Sequence, residues 1–208
     1  AGAGELAGYT DISYEIATVV SNSSELLAQA DITLTVNPIT SEQISQLKEG
    51  SILIGFLNPH SDLKRFTQLA AKNISAFSVE LIPRISRAQA MDALSSQASI
   101  AGYKAVLEAF ANLEKAIPLM MTAAGTISAA KVLVVGAGVA GLQAIATAKR
   151  MGAIVFATDV RLASKEQVES LGGKFLAVEG AENLETEGGY AKETSDDYLS
   201  LIHISEPT

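Results

Sequence analysis

The segment KVLVVGAGVAGLQAIATAKRMGAIVFATDVR, residues 131–161, constrains the fold of this chain more than any other feature. An apolar, β-branched run precedes three glycines that have the spacing G-x-G-x-x-G. A helix-forming stretch of Ala, Leu and Ile follows the glycines, and a second apolar run then ends at Asp159. A strand, a glycine turn, a helix and a second strand in this order predict a βαβ unit with parallel strands. The same order is typical of sites that bind dinucleotides.

Each glycine of this motif has its own physical role. Gly136 permits the tight turn from strand to helix, Gly138 leaves the backbone open to a pyrophosphate, and Gly141 lets the helix pack closely. The amide groups at the N-terminus of the helix then face the phosphates. The cofactor-binding residues predicted in this turn are Gly136, Ala137, Gly138, Val139, Ala140 and Gly141. The alternative interpretation is a glycine-rich turn that binds no ligand.

The end of the second strand supplies a further part of the predicted site, namely Asp159, Val160 and Arg161. A carboxylate here can accept both hydroxyls of the adenosine ribose, and it disfavours a 2′-phosphate because of its charge. Asp159 therefore favours NAD over NADP. Arg161 is a counter-signal, because an arginine at this position can bind a 2′-phosphate.

Composition excludes several classes of function. The chain has 208 residues, of which 48% are hydrophobic and 18% charged, so we expect an ordered fold of one large domain or two small ones. Its net charge of −8 argues against nucleic-acid partners and against docking on anionic lipid. The absence of cysteine excludes disulfides, cysteine-ligated zinc and thiol catalysis. No apolar run approaches the roughly 20 residues of a membrane span.

The N-terminal region of the chain alternates between helix and strand patterns, which implies a parallel sheet built from βαβ units. The expected strands lie in SYEIATVV, DITLTVN, SILIGFL and ISAFSVELI, and the expected helices lie in SNSSELLAQA, SEQISQLKEG and SDLKRFTQLAAKN. A long helix, ASIAGYKAVLEAFANLEKAI, is expected to run to Pro118, and PLMMTAAGTISAA to be a connector. We therefore predict an α/β fold of two Rossmann-like subdomains with parallel sheets joined by a long helix. The predicted subdomains are 1–118 and 119–198, the second incomplete, followed by an atypical tail over 199–208.

The segment PRISRAQAMDALSSQ collects polar side chains where a strand ends, including Arg84, Arg87, Gln89, Asp92 and Ser95. Ligands of α/β folds bind at the carboxyl ends of strands. Arg84 can hold a carboxylate, phosphate or carboxamide, Gln89 can bind a nicotinamide amide, and Asp92 can orient Arg84 or bind a cofactor hydroxyl. The alternative is a solvated loop in which Asp92 or Ser95 caps the long helix.

This segment and the helix after it, PRISRAQAMDALSSQASIAGYKAVLEA, closely resemble the NAD(H)-binding component of proton-translocating NAD(P) transhydrogenases. The resemblance continues through the glycine motif, ATDVR, KEQVESLGGKF and GGYAKE, over roughly residues 1–198. That family, whose alpha subunit carries the component, shares its fold with alanine dehydrogenase. The resemblance implies NAD(H) bound to this chain and a hydride passed to NADP⁺ on a separate domain. It also implies coupling to proton movement through a membrane component.

The resemblance further assigns roles to individual residues. Arg84, Gln89 and Asp92 match residues beside the nicotinamide, where they orient the reacting ring, and Ser95 matches a serine of the same region. Tyr190 matches a tyrosine of a mobile loop that closes over the bound nucleotide. The resemblance also implies a homodimer, located in the cytoplasm and peripheral to the bacterial inner membrane as one component of a membrane complex.

Two other functions stay open at this point. An alanine dehydrogenase-like amino-acid oxidoreductase needs a general acid and base, and in that family a His and an Asp serve. This chain has His60 and His203, and it carries Asn58 and Pro59 where those dehydrogenases have a His-Leu-Ala type of sequence. We expect His60 to be a surface residue. The remaining possibility is a non-catalytic NAD-binding module.

Both ends of the chain depart from the family pattern. The family has a further strand and helix before AGAGELAGYTD, and it has a charged helix where this chain reads LSLIHISEPT. We therefore expect a truncated N-terminus and a non-native tail over 199–208, in which His203 has no function. An incomplete sheet leaves exposed edges. For that reason we expect the 208-residue chain alone to be inactive, and to bind NAD poorly or aggregate.

Overall fold

A computed structural model of the chain describes residues 1–177. The chain folds as two units, the first Ala1–Ala93 and the second from Leu94 onward. Each unit contains its own parallel sheet, so the predicted α/β class with Rossmann-like parallel sheets is confirmed.

The first unit is a three-stranded parallel sheet in the order β1-β2-β3. Ile52 of the central strand pairs with Ile32 on one side and Ser75 on the other. The core forms between sheet and helices around Leu53, Leu57 and Leu69. The strands are β1 (Ile32–Thr35), β2 (Ile52–Gly55) and β3 (Ser75–Ser78), and the helices are α1 (Ser23–Gln29), α2 (Ser41–Gln46) and α3 (Leu63–Ala71).

Local hydrogen bonds fix where these helices begin. Asn22 caps α1 through its side chain, and Asp62 caps α3 by accepting the Arg65 amide. Thr40 and Gln43 form a reciprocal capping box at α2, in which each side chain accepts the other residue's amide. Three polar residues that precede apolar runs therefore set the helix boundaries that the sequence predicts.

The second unit begins with a long helix and a hairpin, which a second parallel sheet in the order β6-β7-β8 follows. Its core includes Val106, Ile145, Val155 and Val168. The elements are α4 (Ala93–Ala111), β4 (Met120–Thr122), β5 (Gly125–Ile127), β6 (Lys131–Val135), α5 (Val139–Arg150), β7 (Ile154–Thr158), α6 (Ser164–Ser170) and β8 (Lys174–Phe175).

Several expectations about individual elements are wrong. SYEIATVV is not a strand, because none of the strands within residues 1–177 pairs with it. The connector after Pro118 contains the antiparallel hairpin β4–β5, which lacks the Asn-Gly or Asp-Gly signal of a short hairpin. Helix α4 ends at Ala111 instead of reaching Pro118, and the Asn112 side chain donates to the Glu108 carbonyl at its end.

The division between the units also differs from the predicted boundary at 118. It falls between Ala93 and Leu94, so that the long helix α4 belongs almost entirely to the second unit. The reason is packing, because Val106 is buried in the core of the second unit and Phe110 packs against it. A boundary read from proline and glycine positions cannot detect which core a helix joins.

Candidate functional site

The glycine turn lies at the carboxyl end of β6, between this strand and α5. Gly136 has a φ of +93°, in the left-handed region that residues with a Cβ rarely adopt. Its amide donates to the carbonyl of Thr158 at 2.8 Å. The turn is therefore fastened to the end of the neighbouring strand β7, where Asp159 follows.

Gly138 and Gly141 differ in what a side chain would meet. A Cβ at Gly141 would stand 1.8 Å from the carbonyl oxygen of Gly136, so any side chain would push α5 away from the turn. A Cβ at Gly138 would meet no heavy atom within 4 Å in the described region of the chain, apart from its immediate neighbours. The backbone at Gly138 is thus open to a ligand, as the sequence predicts. Gly141 brings the helix close to the turn itself more than to the strand.

The N-terminus of α5 contains the other residues predicted in this turn. Val139 and Ala140 are the first two residues of the helix, and Gly138 precedes them without a capping side chain. Amides of a first helical turn have no partner inside the helix, so they suit an anion. Ala137 differs from them, because it is 1% exposed and its amide donates to the Asp159 carboxylate at 2.6 Å. Its amide therefore holds Asp159 in place.

The Asp159 carboxylate accepts four hydrogen bonds. Oδ1 accepts the Arg161 amide at 2.8 Å and Arg161 Nε at 2.9 Å. Oδ2 accepts the Ala137 amide at 2.6 Å and Arg161 Nη2 at 3.0 Å. The Asp159 side chain is only 5% exposed, whereas that of Arg161 is 21% exposed. Val160, between them in sequence, is partly buried.

These contacts decide the charge of Asp159. Burial by itself raises the pKa of this carboxyl, but the hydrogen bonds from Arg161 and Ala137 and the positive charge of Arg161 outweigh it. The pKa of Asp159 is therefore held below its ordinary value. The group is a buried, ionised acceptor at the carboxyl edge of the sheet, which is what a ribose diol requires.

The residues predicted beside the nicotinamide lie around a 3₁₀ helix, Ser86–Met91. Arg84 and Asp92 flank this helix and form an ion pair, with 3.8 Å between Arg84 Nε and Asp92 Oδ2. The Asp92 amide donates to the carbonyl of Gln89 at 3.2 Å, and the Gln89 residue is exposed. The structure thus brings Arg84, Gln89 and Asp92 together in the first unit. Ser95 lies in the first turn of α4, in the second unit.

An apolar cavity of about 520 Å³ lies on the chain between β3 and this segment. Its lining includes Phe77, Leu81 and Pro83, and none of the described residues that line it is ionisable. An apolar surface of this kind suits packing against other apolar groups and not the binding of a charged cofactor. We therefore do not count it within the candidate site.

Glu80, which the sequence did not single out, fixes the loop after β2. Its Oε1 accepts the amides of Leu57, at 2.9 Å, and Asn58. The Leu57 carbonyl in turn accepts Arg65 Nη1 at 2.6 Å. Burial raises the pKa of Glu80, but its hydrogen bonds outweigh burial and hold the pKa below the ordinary value. The available signal was an acidic residue directly after a strand, in SVELIP.

Other predicted residues add little to the site. His60 is exposed in the loop after β2, as expected. Tyr190 and His203 lie outside the described residues. Within residues 1–177, no cluster of His, Cys, Asp and Glu could hold a metal ion. Over the same residues, none of the helices has the length and apolar character needed to cross a bilayer.

Two sequence profiles of one family match this chain. The profile described as "Alanine dehydrogenase/PNT, N-terminal domain" matches residues 1–101, and "Alanine dehydrogenase/PNT, C-terminal domain" matches residues 105–200. The chain therefore belongs to the alanine dehydrogenase/PNT family.

Individual relatives narrow this class. The chain is 51% identical over 201 residues to an NAD(P) transhydrogenase alpha subunit of Rickettsia prowazekii, namely the first of the pieces into which that subunit is divided, and the match covers 94% of this chain and 52% of that protein. A crystal structure of transhydrogenase from Sinorhizobium meliloti matches with a TM-score of 0.81 and 48% identity, over 85% of this chain and 53% of that one. An L-alanine dehydrogenase structure shares the fold, with a TM-score of 0.71 and 21% identity over 84% of this chain and 50% of its own. The resemblance to transhydrogenases is thus confirmed, and the chain spans about half the length of these relatives.

Proposed function

We propose that this chain is the NAD(H)-binding component of a transhydrogenase that transfers hydride between NADH and NADP⁺ bound on another domain. The observation that carries the proposal is the ionised Asp159 carboxylate, fastened by Ala137 to a glycine turn whose backbone is open at Gly138. This arrangement fits the adenosine end of a dinucleotide. The 51% identity to a transhydrogenase subunit supports the choice of reaction.

The residues divide between the two ends of the cofactor. In this proposal the segment 136–141 binds the pyrophosphate, and Asp159, Val160 and Arg161 bind the adenosine ribose. Arg84, Gln89 and Asp92 orient the nicotinamide, while Ser95 and Tyr190 contribute further contacts. The Arg84–Asp92 ion pair supports the orienting role, because the carboxylate limits where the guanidinium can point.

The chemistry requires little of these side chains beyond positioning. The bound NADH supplies the hydride, and no alcohol or amine group gains or loses a proton in the transfer. The site therefore needs no general acid, and it must hold two nicotinamide rings close together in reactive geometry. Arginine, glutamine and aspartate as orienting groups suit that requirement.

The proposal extends to the assembly around this chain. Its partners would be an NADP-binding domain and a membrane proton-channel domain of the same complex, with two copies of this chain forming a homodimer. Proton translocation would then be coupled to hydride transfer in the complete complex. The chain would lie on the cytoplasmic side, peripheral to the bacterial inner membrane.

The test uses the whole gene product that contains this sequence, together with an NADP-binding domain. We expect NADH to reduce an NADP⁺ analogue of shifted absorbance, and Asp92→Asn to slow the transfer about 10- to 100-fold with a small effect on NADH binding, because an orienting group acts on reactive geometry. Exposed Glu114→Gln, on the segment after α4, serves as the matched control and should retain the rate.

Two outcomes would contradict this function. NADH oxidation that depends on pyruvate and ammonia would favour the alanine dehydrogenase-like reaction. NADH binding without transfer to the analogue in the complete complex would favour a non-catalytic NAD-binding module.

A further inference from the structure

The guanidinium of Arg161 lies on Asp159 as a two-pronged donor. Nε reaches Oδ1 at 2.9 Å, and Nη2 reaches Oδ2 at 3.0 Å. A carboxylate oxygen offers two lone pairs, and a backbone amide takes the second one on each oxygen, from Arg161 on Oδ1 and from Ala137 on Oδ2. All four acceptor positions of Asp159 are therefore filled by protein donors in this conformation.

A ribose diol makes the same demand on a carboxylate as this guanidinium does. Its two neighbouring hydroxyls donate one hydrogen bond to each oxygen, which are the positions that Nε and Nη2 hold. We propose that the Arg161 guanidinium occupies the diol subsite of Asp159 and is exchanged for the ribose hydroxyls when the cofactor binds. Arg161 would thereby set both the affinity and the nucleotide preference of the subsite. The inference rests on the proposed function, since it needs Asp159 to be the ribose acceptor.

The surroundings allow such an exchange without loss of the carboxylate's position. The Ala137 and Arg161 amides belong to the backbone, so they continue to hold Asp159 after the guanidinium leaves. The Arg161 side chain is the more exposed partner, at 21% against 5% for Asp159. Arg161 thus has access to solvent, whereas Asp159 stays where the turn holds it.

The exchange has opposite consequences for the two nucleotides. A diol replaces charge-assisted hydrogen bonds with neutral donors, which are weaker, so the release of Arg161 subtracts from NAD(H) affinity. A 2′-phosphate cannot donate to Asp159 and is repelled by it, but the released guanidinium can bind that phosphate as a bidentate donor. Arg161 therefore weakens the discrimination between NAD(H) and NADP(H) that Asp159 alone would give.

The experiment compares Arg161→Gln with Arg150→Gln, which removes the same charge from the exposed end of α5. Dissociation constants for NADH and NADPH are measured by fluorescence titration of the whole gene product without the NADP-binding domain. We expect Arg161→Gln to bind NADH about fivefold more tightly and NADPH about tenfold more weakly. Arg150→Gln should change neither constant. Changes of opposite sign cannot result from partial unfolding, which weakens both ligands.

Two further measurements separate this inference from the proposed function. With 2′-deoxy-NADH the gain from Arg161→Gln should shrink, because one donor of the diol is missing. Asp159→Asn should weaken NADH binding. If Arg161→Gln weakens NADH as Asp159→Asn does, Arg161 merely supports Asp159, and the inference is overturned while the proposed function stands. If the wild-type protein does not bind NADH, the proposed function fails and the inference fails with it.

Discussion

The two parallel sheets of this protein use a carboxylate in the same place but for different loops. In the first sheet Glu80, after β3, accepts amides of Leu57 and Asn58 in the loop after the adjacent strand β2. In the second sheet Asp159, after β7, accepts the amide of Ala137 in the loop after the adjacent strand β6. The shared device holds a strand-end loop against its neighbour.

The difference lies in the residues of the two loops. Asn58 adopts a φ of +54°, which is uncommon for a residue with a side chain, and Pro59 follows it. Gly136 adopts its φ of +93° without steric cost, and Gly138 leaves the backbone open. A carboxylate at the carboxyl edge of a sheet is therefore not enough to indicate a cofactor site. The open glycine backbone beside it makes the second loop suitable for phosphates.

The largest expected effect separates the two helix-side glycines of the second loop. Gly141→Ala should lower the free energy of unfolding by about 3 kcal/mol or more, because the new Cβ would meet the Gly136 carbonyl. Gly138→Ala should unfold near the wild-type urea concentration but bind NADH poorly, because its methyl group points into open space where the pyrophosphate is expected. Equal stability of the two variants would show that close packing at Gly141 is unimportant.

The two carboxylates should respond differently to loss of charge. Glu80→Gln should lower the free energy of unfolding by about 1–2 kcal/mol, because it weakens charge-assisted hydrogen bonds to buried amides. Its NADH dissociation constant should stay within twofold of wild type, whereas Asp159→Asn should weaken NADH binding at least tenfold. Urea unfolding and fluorescence titration measure the two effects. A comparable loss of NADH binding in Glu80→Gln would contradict the distinction between the loops.

A reciprocal exchange of turn residues should give a smaller effect. Gly136→Asn should destabilise the protein by about 1 kcal/mol, because a side chain is strained at that φ. Asn58→Gly should be neutral or stabilising by a few tenths of a kcal/mol, since glycine adopts the left-handed conformation without strain. Thermal unfolding of the single and double variants checks both signs. A destabilising Asn58→Gly would mean that the asparagine side chain itself supports the loop.

The smallest effect concerns pH. Both carboxyls have a pKa in the folded protein below the ordinary value, which is 4.5 for Glu80 and 3.8 for Asp159. The stability that each contributes is therefore complete above its ordinary value and is lost as the pH falls through the lower folded-state value. Urea unfolding between pH 7 and pH 3 should show a shallower acid loss in Glu80→Gln and Asp159→Asn than in wild type. Parallel pH curves for all three proteins would contradict the assigned pKa directions.

Much of the fold follows from local patterns in the sequence. The apolar run before Gly136 and the Ala-rich stretch after Gly138 predict β6 and α5, and the caps Asn22 and Asp62 mark helix starts that the structure contains. The sequence failed where the outcome depended on distant partners. SYEIATVV has strand-like residues but no pairing strand within residues 1–177, and α4 joined the second core through Val106.

The sequence by itself determined the glycine turn, the acidic residue at the end of β7, the polar segment around Arg84 and the family to which they point. These features are carried by residue type and spacing over a few positions. Only the tertiary structure decided that Glu80 holds the loop after β2, that Ala137 holds Asp159, and that both prongs of Arg161 fill the acceptor positions of that carboxylate. The first two contacts join residues 23 and 22 positions apart, and a parallel sheet brings them together only after the strands have paired.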